Sequence, residues 1–170
     1  TLGDQDVDGN LGIEYLSLFG SASSAFDVEG MRFVLLDSAN GGLKETDALL
    51  DLWLSDSALT GSDKTPVQHL IFTHYPPFSE SGGSRPQFDH TFEAGGLVAR
   101  LTSIKALGLV VGQRKSASQT SIGDVNVYHV GGISDASAGS WSKFSMDPSC
   151  IALCNAKLGD CDCLQYERIR

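Results

Sequence analysis

The residues of this chain that could do chemistry gather in a few short stretches. Thr73-His74-Tyr75-Pro76-Pro77 sets an imidazole directly ahead of two prolines. Proline has no amide hydrogen to give to a sheet ladder, so a strand reaching this point must stop there and leave His74 at its C-terminal lip. Gly112-Gln113-Arg114-Lys115 follows a second apolar run and offers an amide and two cations. Asp4, Asp6 and Asp8 alternate before Gly9 and Asn10, a spacing that resembles the start of a calcium loop. The distal glutamate that an EF-hand requires is missing, and a solvated turn explains these carboxylates better. Arg114 and Lys115 side by side could hold an anion; a solvated basic loop is the plainer reading. His129 alternates with Val125 and Val127 and reads as a packing residue, while His69 and His90 carry no partner pattern. No Ser-His-Asp, Walker or dinucleotide-binding motif is present.

The four cysteines, Cys150, Cys154, Cys161 and Cys163, all lie near the C-terminal end of the sequence. Two disulfides stapling a loop would suit a secreted protein and place it in an extracellular or secretory compartment, with three pairings open. A zinc site is the competing reading, although this spacing is not that of a familiar knuckle. Reduced thiols are the third.

The elements that must position these groups alternate between strand and helix, which points to an α/β class of layered mixed sheet with flanking helices. Residues 31–37 form a short apolar strand run ending in Asp37-Ser38, and Asn40-Gly41-Gly42 breaks the chain after it. Residues 44–55 follow with Ala48, Leu49, Leu52 and Trp53 at helical spacing. Residues 67–73 form a second buried strand leading to His74. Leu97, Val98, Leu101, Ile104 and Leu107 mark one face of a further helix, and residues 108–112 a third strand. Residues 119–122 and 125–130 read as a hairpin across Gly123-Asp124, and residues 164–169 as a last strand. In open α/β sheets the strands end in polar loops on one common edge, and sites lie there. His74 and the residues after Gly112 are therefore the places where chemistry is to be sought.

At 170 residues with 41% hydrophobic and 19% charged residues, the composition is that of a folded domain. The 12 Lys and Arg against 21 Asp and Glu give a net charge of -9, which disfavours nucleic acid as a partner. No apolar run approaches the roughly 18 to 20 residues of a membrane span.

Three segments in this order resemble the calcineurin-like metallophosphoesterase superfamily, which includes purple acid phosphatases and phosphodiesterases: Gly3-Asp4-Gln5-Asp6, Thr73-His74-Tyr75-Pro76-Pro77 and Gly112-Gln113-Arg114-Lys115. The family shows Gly-Asn-His-Asp, Thr-His-x-Pro and Gly-His-x-His there. Phe33-Val34-Leu35-Leu36-Asp37-Ser38, Trp53-Leu54 and Val127-Tyr128-His129-Val130-Gly131-Gly132 agree as well. The resemblance covers residues 1–133 as a C-terminal half-domain and leaves 134–170 as a cysteine-containing extension.

The resemblance implies metal-ligand positions at Asp4, His74, Gln113 and Lys115 and a general-acid position at Gln5. Only His74 keeps the family's residue. Asp4 could bind a cation, but Gln113 offers only an amide oxygen, and an ammonium at Lys115 has no lone pair and repels a metal at contact. Gln5 has no titratable proton to donate. The family's two earlier motifs, which supply the bridging Asp and an Asp-x-His pair, are missing from the sequence. The expectation is therefore a catalytically inactive protein with no cofactor, acting as a structural or interaction subunit. Its exposed sheet face would be covered by a protein partner or a homo-oligomer. The alternative is a metal-dependent phosphoesterase whose missing motifs come from another chain or were cleaved off, with His74 and Asp4 holding a single Mn, Fe or Zn ion.

Overall fold

The structure, a computed structural model, describes residues 3, 11–28, 30–55, 68–79, 87–114, 118–131, 142–146, 150–155 and 160–165. A mixed six-stranded sheet dominates, in the order β1-β2-β3-β4-β6-β5. Its parallel centre is β2 (Met31–Leu35), β3 (Gln68–Thr73), β4 (Gly108–Arg114) and β6 (Val125–Gly131). Antiparallel edge strands flank it, β1 (Ser24–Val28) on one side and β5 (Ser118–Ile122) on the other. The expected layered α/β architecture is what forms.

Helices α2 (Asp47–Trp53) and α3 (Thr91–Ser103) are the crossovers from β2 to β3 and from β3 to β4. Successive crossovers of one hand along a sheet that grows in one direction must lie on the same face. Both helices accordingly pack on the face made by Val34, Leu36, Ile71, Leu109, Val111, Val125 and Val127. The opposite face carries Met31, Leu70, Val110 and Tyr128, with Phe33, Phe72 and Val130 half-buried beside them. Phe26, Phe33 and Phe72 run across this face as a stacked row, with ring centroids 5.3 and 6.3 Å apart. Gly108 belongs to it for a steric reason: a Cβ there would stand 2.6 Å from the Tyr128 ring on β6.

Local chemistry fixes where the helices begin and end. The Thr46 hydroxyl accepts from the Leu49 amide and caps α2, which starts at Asp47, later than the expected 44. That start rotates the helix so that Leu50 and Leu54 face the core with Trp53 half-buried, while Leu49 and Leu52 point to solvent. The sequence around Leu49 offers two apolar stripes, and the cap selects the one that the spacing argument did not. At the end of α3, Lys105 takes a left-handed φ of 51°. Its amide bonds Thr102 O and the Ala106 amide bonds Leu101 O, which is the Schellman arrangement with a lysine where glycine is usual. The chain has turned by Leu107, which packs on the opposite sheet face from α3. The β5–β6 hairpin closes through Gly123-Asp124, with Gly123 at φ 58° as a type II′ turn requires.

At the N-terminal end of the parallel strands, a charge lies inside the core. Arg32 is fully buried. Its Nε and Nη2 donate to the two carboxylate oxygens of Asp27 on β1, at 2.7 and 2.9 Å. Its Nη1 donates to Trp53 O and Ser55 O at 3.1 and 2.9 Å. His69, paired with Arg32 in the sheet register, brings Nε2 to 3.2 Å from the same Ser55 carbonyl. The guanidinium thus meets the carbonyls at the end of α2, where positive charge is favoured.

A helix and a small second sheet, like strand β1, lie outside the expected order. Helix α1 (Leu11–Phe19) precedes β1, and β7 (Ser142–Met146), β8 (Cys150–Asn155) and β9 (Asp160–Gln165) form a separate antiparallel meander. The expected strand at 164–169 meets β9 at residues 164 and 165, and the rest of it lies outside the described residues. The disulfide expectation is corrected here: no disulfide is found among the described residues. The four cysteines sit in paired strands and not in a loop awaiting a staple. The register sets only Cys154 opposite Cys161, while Cys150 faces Gln165 and Cys163 faces Ala152. Ladder hydrogen bonds hold this segment together.

Candidate functional site

The C-terminal ends of β2, β3 and β4 lie along one edge of the sheet and carry polar residues. Each is held by a backbone device. After β2, the fully buried Ser38 points its hydroxyl at the loop after β3, where Oγ accepts from the amides of His74 and Tyr75 at 2.9 and 3.1 Å. After β4, the Gln113 amide donates to His74 O at 3.1 Å. The β4–β6 register slips between Val111 and Arg114, so three steps on β4 oppose two on β6. This bulge re-aims the end of β4 toward β3. Gly112 comes so near that a Cβ on it would stand 3.5 Å from His74 Nδ1. The His74 ring is half-buried and meets the Tyr75 ring edge-on at 5.0 Å.

A second cluster adjoins this edge. Asp37 is buried, with Oδ1 accepting from the Ala39 amide at 3.1 Å and Oδ2 3.0 Å from Lys44 Nζ as an ion pair without an aligned hydrogen bond. The Ser23 hydroxyl donates to Glu45 Oε1 and accepts from the Asp37 amide at 2.6 Å. Burial raises the Glu45 carboxyl above its ordinary pKa, and the nearby negative charge of Asp37 raises it further. Amide hydrogen bonds lower it by less. The loop after β2 is tied to α3 as well, through Leu43 N to Glu93 Oε1 at 2.9 Å and Asp89 N to Gly41 O at 2.6 Å.

The backbones of His74 and Gln113 are thus joined by a hydrogen bond. Asp4, Gln5 and Lys115 lie outside the described residues, as does the side chain of Arg114. His129 is a buried strand residue, in line with a packing role, with Nε2 3.5 Å from Thr120 Oγ1. His69 was assigned nothing from sequence and proves to belong to the Arg32 network. A charge inside the otherwise apolar Met31–Leu35 run was the signal that could have located that network.

The donors at this edge do not fit a two-metal centre. Such a centre needs hard oxygens and imidazoles converging on two points. Among the described residues no group of three or more His, Cys, Asp or Glu could hold a metal ion. Gln113, which meets His74 through its backbone N–H, has only a neutral amide as a side chain. Asp37 is turned away to Lys44 and a backbone amide.

No protein-family model matches the chain, and no curated protein matches it in sequence. Solved structures do. The chain is similar to GAP50, described as the anchor in the inner membrane complex of Plasmodium, at 15% identity and a TM-score of 0.52. That match takes in 85% of this chain and 53% of GAP50, so the chain spans about half of GAP50's length. It is also similar to a dimetal phosphatase from Danio rerio, at 13% identity and a TM-score of 0.55, over 98% of this chain and 68% of the phosphatase. At such identities the likeness is one of fold, and the fold is similar to the calcineurin-like metallophosphoesterase architecture.

Proposed function

We propose that this chain is a non-catalytic, metallophosphoesterase-like structural or interaction subunit that functions in contact with another polypeptide or a second copy of itself. The observation that carries this reading is the placement of apolar surface. Edge strand β1 leaves Phe26 47% exposed at the end of the aromatic row. Helix α1 leaves Ile13, Leu18 and Phe19 between 67 and 77% exposed. In a chain of net charge -9, large side chains held in water on neighbouring elements mark surface made to be covered. The donor set at the sheet edge supports the non-catalytic half of the reading, because its hydroxyls and carboxylates serve backbone amides and Lys44. The description of GAP50 as an anchor supports a role in assembly for a protein of this fold.

Size-exclusion chromatography with light scattering tests the proposal. A self-associating or partner-bound species that Phe26→Lys weakens is expected. A well-folded monomer that resists dilution and binds nothing would end it. Metal analysis joined to a phosphomonoester and phosphodiester panel tests the enzymatic alternative. Stoichiometric Mn, Fe or Zn that disappears in His74→Ala, together with turnover, would replace the proposal with a composite hydrolase.

A further inference from the structure

We propose that edge strand β1 is the seam of a two-fold homodimer, pairing antiparallel with β1 of a second copy so that the two six-stranded sheets become continuous. The inference rests on the interaction reading above and names its partner and surface. Along Ser24–Val28 only Ala25 is partly buried, and Phe26 and Val28 stand 47% and 38% exposed. Proteins commonly blunt such an edge with lysine, proline or a bulge. Ser24-Ala25-Phe26-Asp27-Val28 contains no lysine and no proline, and all five residues pair with β2 in unbroken register. Its one charge is already met, because the Asp27 carboxylate accepts from both Nε and Nη2 of Arg32. Two copies of a chain of net charge -9 can therefore approach along β1 without setting bare carboxylates against each other. The opposite edge differs: Ser118–Ile122 presents serine, glutamine and threonine before its single isoleucine.

The ladder fixes which main-chain groups face outward. Gly30 O accepts from the Gln68 amide and the Leu36 amide donates to Phe72 O, so the even-numbered residues of β2 bond β3. Alternate residues of a strand turn their main-chain groups to opposite sides. Met31, Phe33 and Leu35 therefore bond β1, through their register partners Val28, Phe26 and Ser24. Ala25 and Asp27 direct theirs to the outer edge. A two-fold axis at Phe26, the middle residue of β1, uses the whole strand. It sets Ala25 of one copy opposite Asp27 of the other, as a hydrogen-bonded pair on each side of the axis, with Phe26 opposite Phe26. The row of Phe72, Phe33 and Phe26 then runs through the seam into the second copy. Each Val28 lies diagonal to the facing Phe26, and aromatic and β-branched pairs of this kind stabilise a sheet. An axis at Asp27 would set two carboxylates opposite each other, and one at Ala25 would set Phe26 against Ser24. The strand is thus self-complementary in one register, which selects a second copy as the occupant and closes the assembly at two.

Sedimentation equilibrium of the full chain, joined to amide hydrogen exchange at rising protein concentration, tests the seam. A monomer–dimer equilibrium is expected, with a dissociation constant on the order of 10 μM because one strand pair is smaller than a standard interface. Exchange should slow with concentration at Ala25 and Asp27 far more than at Phe26, whose main-chain groups face β2. Ala25→Pro removes one outward donor from each copy, at a position where an edge strand accepts proline. Its dissociation constant should rise about thirtyfold, the worth of two hydrogen bonds, with the circular dichroism of the monomer unchanged. A dimer that survives in a folded Ala25→Pro, or exchange that slows equally at Phe26, would overturn the seam and leave the interaction reading to another surface. Open-ended assemblies would overturn the two-fold closure. A chain that stays monomeric at every concentration would overturn the homodimer, and the interaction reading falls with it only if no other polypeptide binds. Should Ala25→Pro fail to fold, the exchange pattern of the unmutated chain decides.

Discussion

The two ends of the parallel strands are both polar and both buried, yet they are built in opposite ways. At the N-terminal end one full charge, Arg32, collects a bidentate carboxylate and two helix-terminal carbonyls around itself. At the C-terminal end no single group dominates. Ser38, Gln113 and the loop after β2 each join neighbouring segments through one or two backbone hydrogen bonds. The first end holds β1, β2 and α2 in a fixed relation. The second holds a set of loops at the place where an α/β sheet usually does chemistry. The difference teaches that the strongest side-chain network of this sheet lies away from its candidate site, so residues at that edge can change without unfolding the sheet.

The largest test of that contrast is Asp27→Ala. It removes the carboxylate that the buried guanidinium of Arg32 meets through both Nε and Nη2. Losing one member of a buried pair costs about 3 to 5 kcal/mol. Asp27 is itself 25% exposed, so water can replace part of what is lost and about 3 kcal/mol is expected in urea unfolding. His74→Ala, at the other end, should change stability by less than about 1 kcal/mol. Equal effects from the two variants would refute the division of labour.

Ser38→Ala sharpens the comparison from the site side. Two amides, those of His74 and Tyr75, lose their shared acceptor. A cost of about 2 kcal/mol follows from leaving such donors unsatisfied. Faster hydrogen exchange at those two amides, with β2 and β3 themselves still protected, is the signature that separates a loosened loop from global unfolding. Lys105→Gly acts at neither end. Its expected effect is a gain of about 1 kcal/mol, because glycine adopts the left-handed conformation of this helix end without a Cβ penalty. A loss on thermal unfolding would show that the lysine side chain contributes more than its backbone costs.

Much of the sheet was legible in the sequence because strands buried on both faces are continuous apolar runs, and Thr73-His74-Tyr75-Pro76-Pro77 states where one of them must stop. The hairpin at Gly123-Asp124 was legible for the same kind of reason, a turn chemistry that few conformations satisfy. Helix faces were less so. Around Leu49 to Leu54 two apolar stripes fit equally, and only the Thr46 cap decides between them. Strand β1 was missed because Ser24–Val28 is an exposed edge strand with only Ala25 partly buried, so no hydrophobic alternation marks it. Of the site, its location at the C-terminal ends of the parallel strands was readable from topology. The bulge that brings Gly112 against His74, and the Ser38 hydroxyl that holds the loop, were not, since both depend on register between strands distant in sequence. The cysteines misled because spacing along the chain says nothing of which residues face each other across β8 and β9.

The smallest effect tests whether the carboxylates beside the site are structural. Glu45 has its pKa raised above the ordinary 4.5, chiefly by burial and then by the charge of Asp37. A raised pKa means that folding favours the protonated form. The stability it contributes is present in full below the unfolded value and is lost as pH rises through the folded one. Glu45→Gln keeps the shape and an oxygen to accept from Ser23, but it removes the ionisation. The stability of the variant relative to the unmutated chain should therefore increase between pH of about 4.5 and about 7, by less than about 1 kcal/mol because the group is only half-buried. Urea unfolding at the two pH values measures it. A gap that stays flat would mean that water reaches Glu45 freely. One that narrows toward neutral pH would mean that Lys44 and the surrounding amides, and not burial, govern this carboxylate, which would make the cluster an ion-pair network like the one at the opposite end of the sheet.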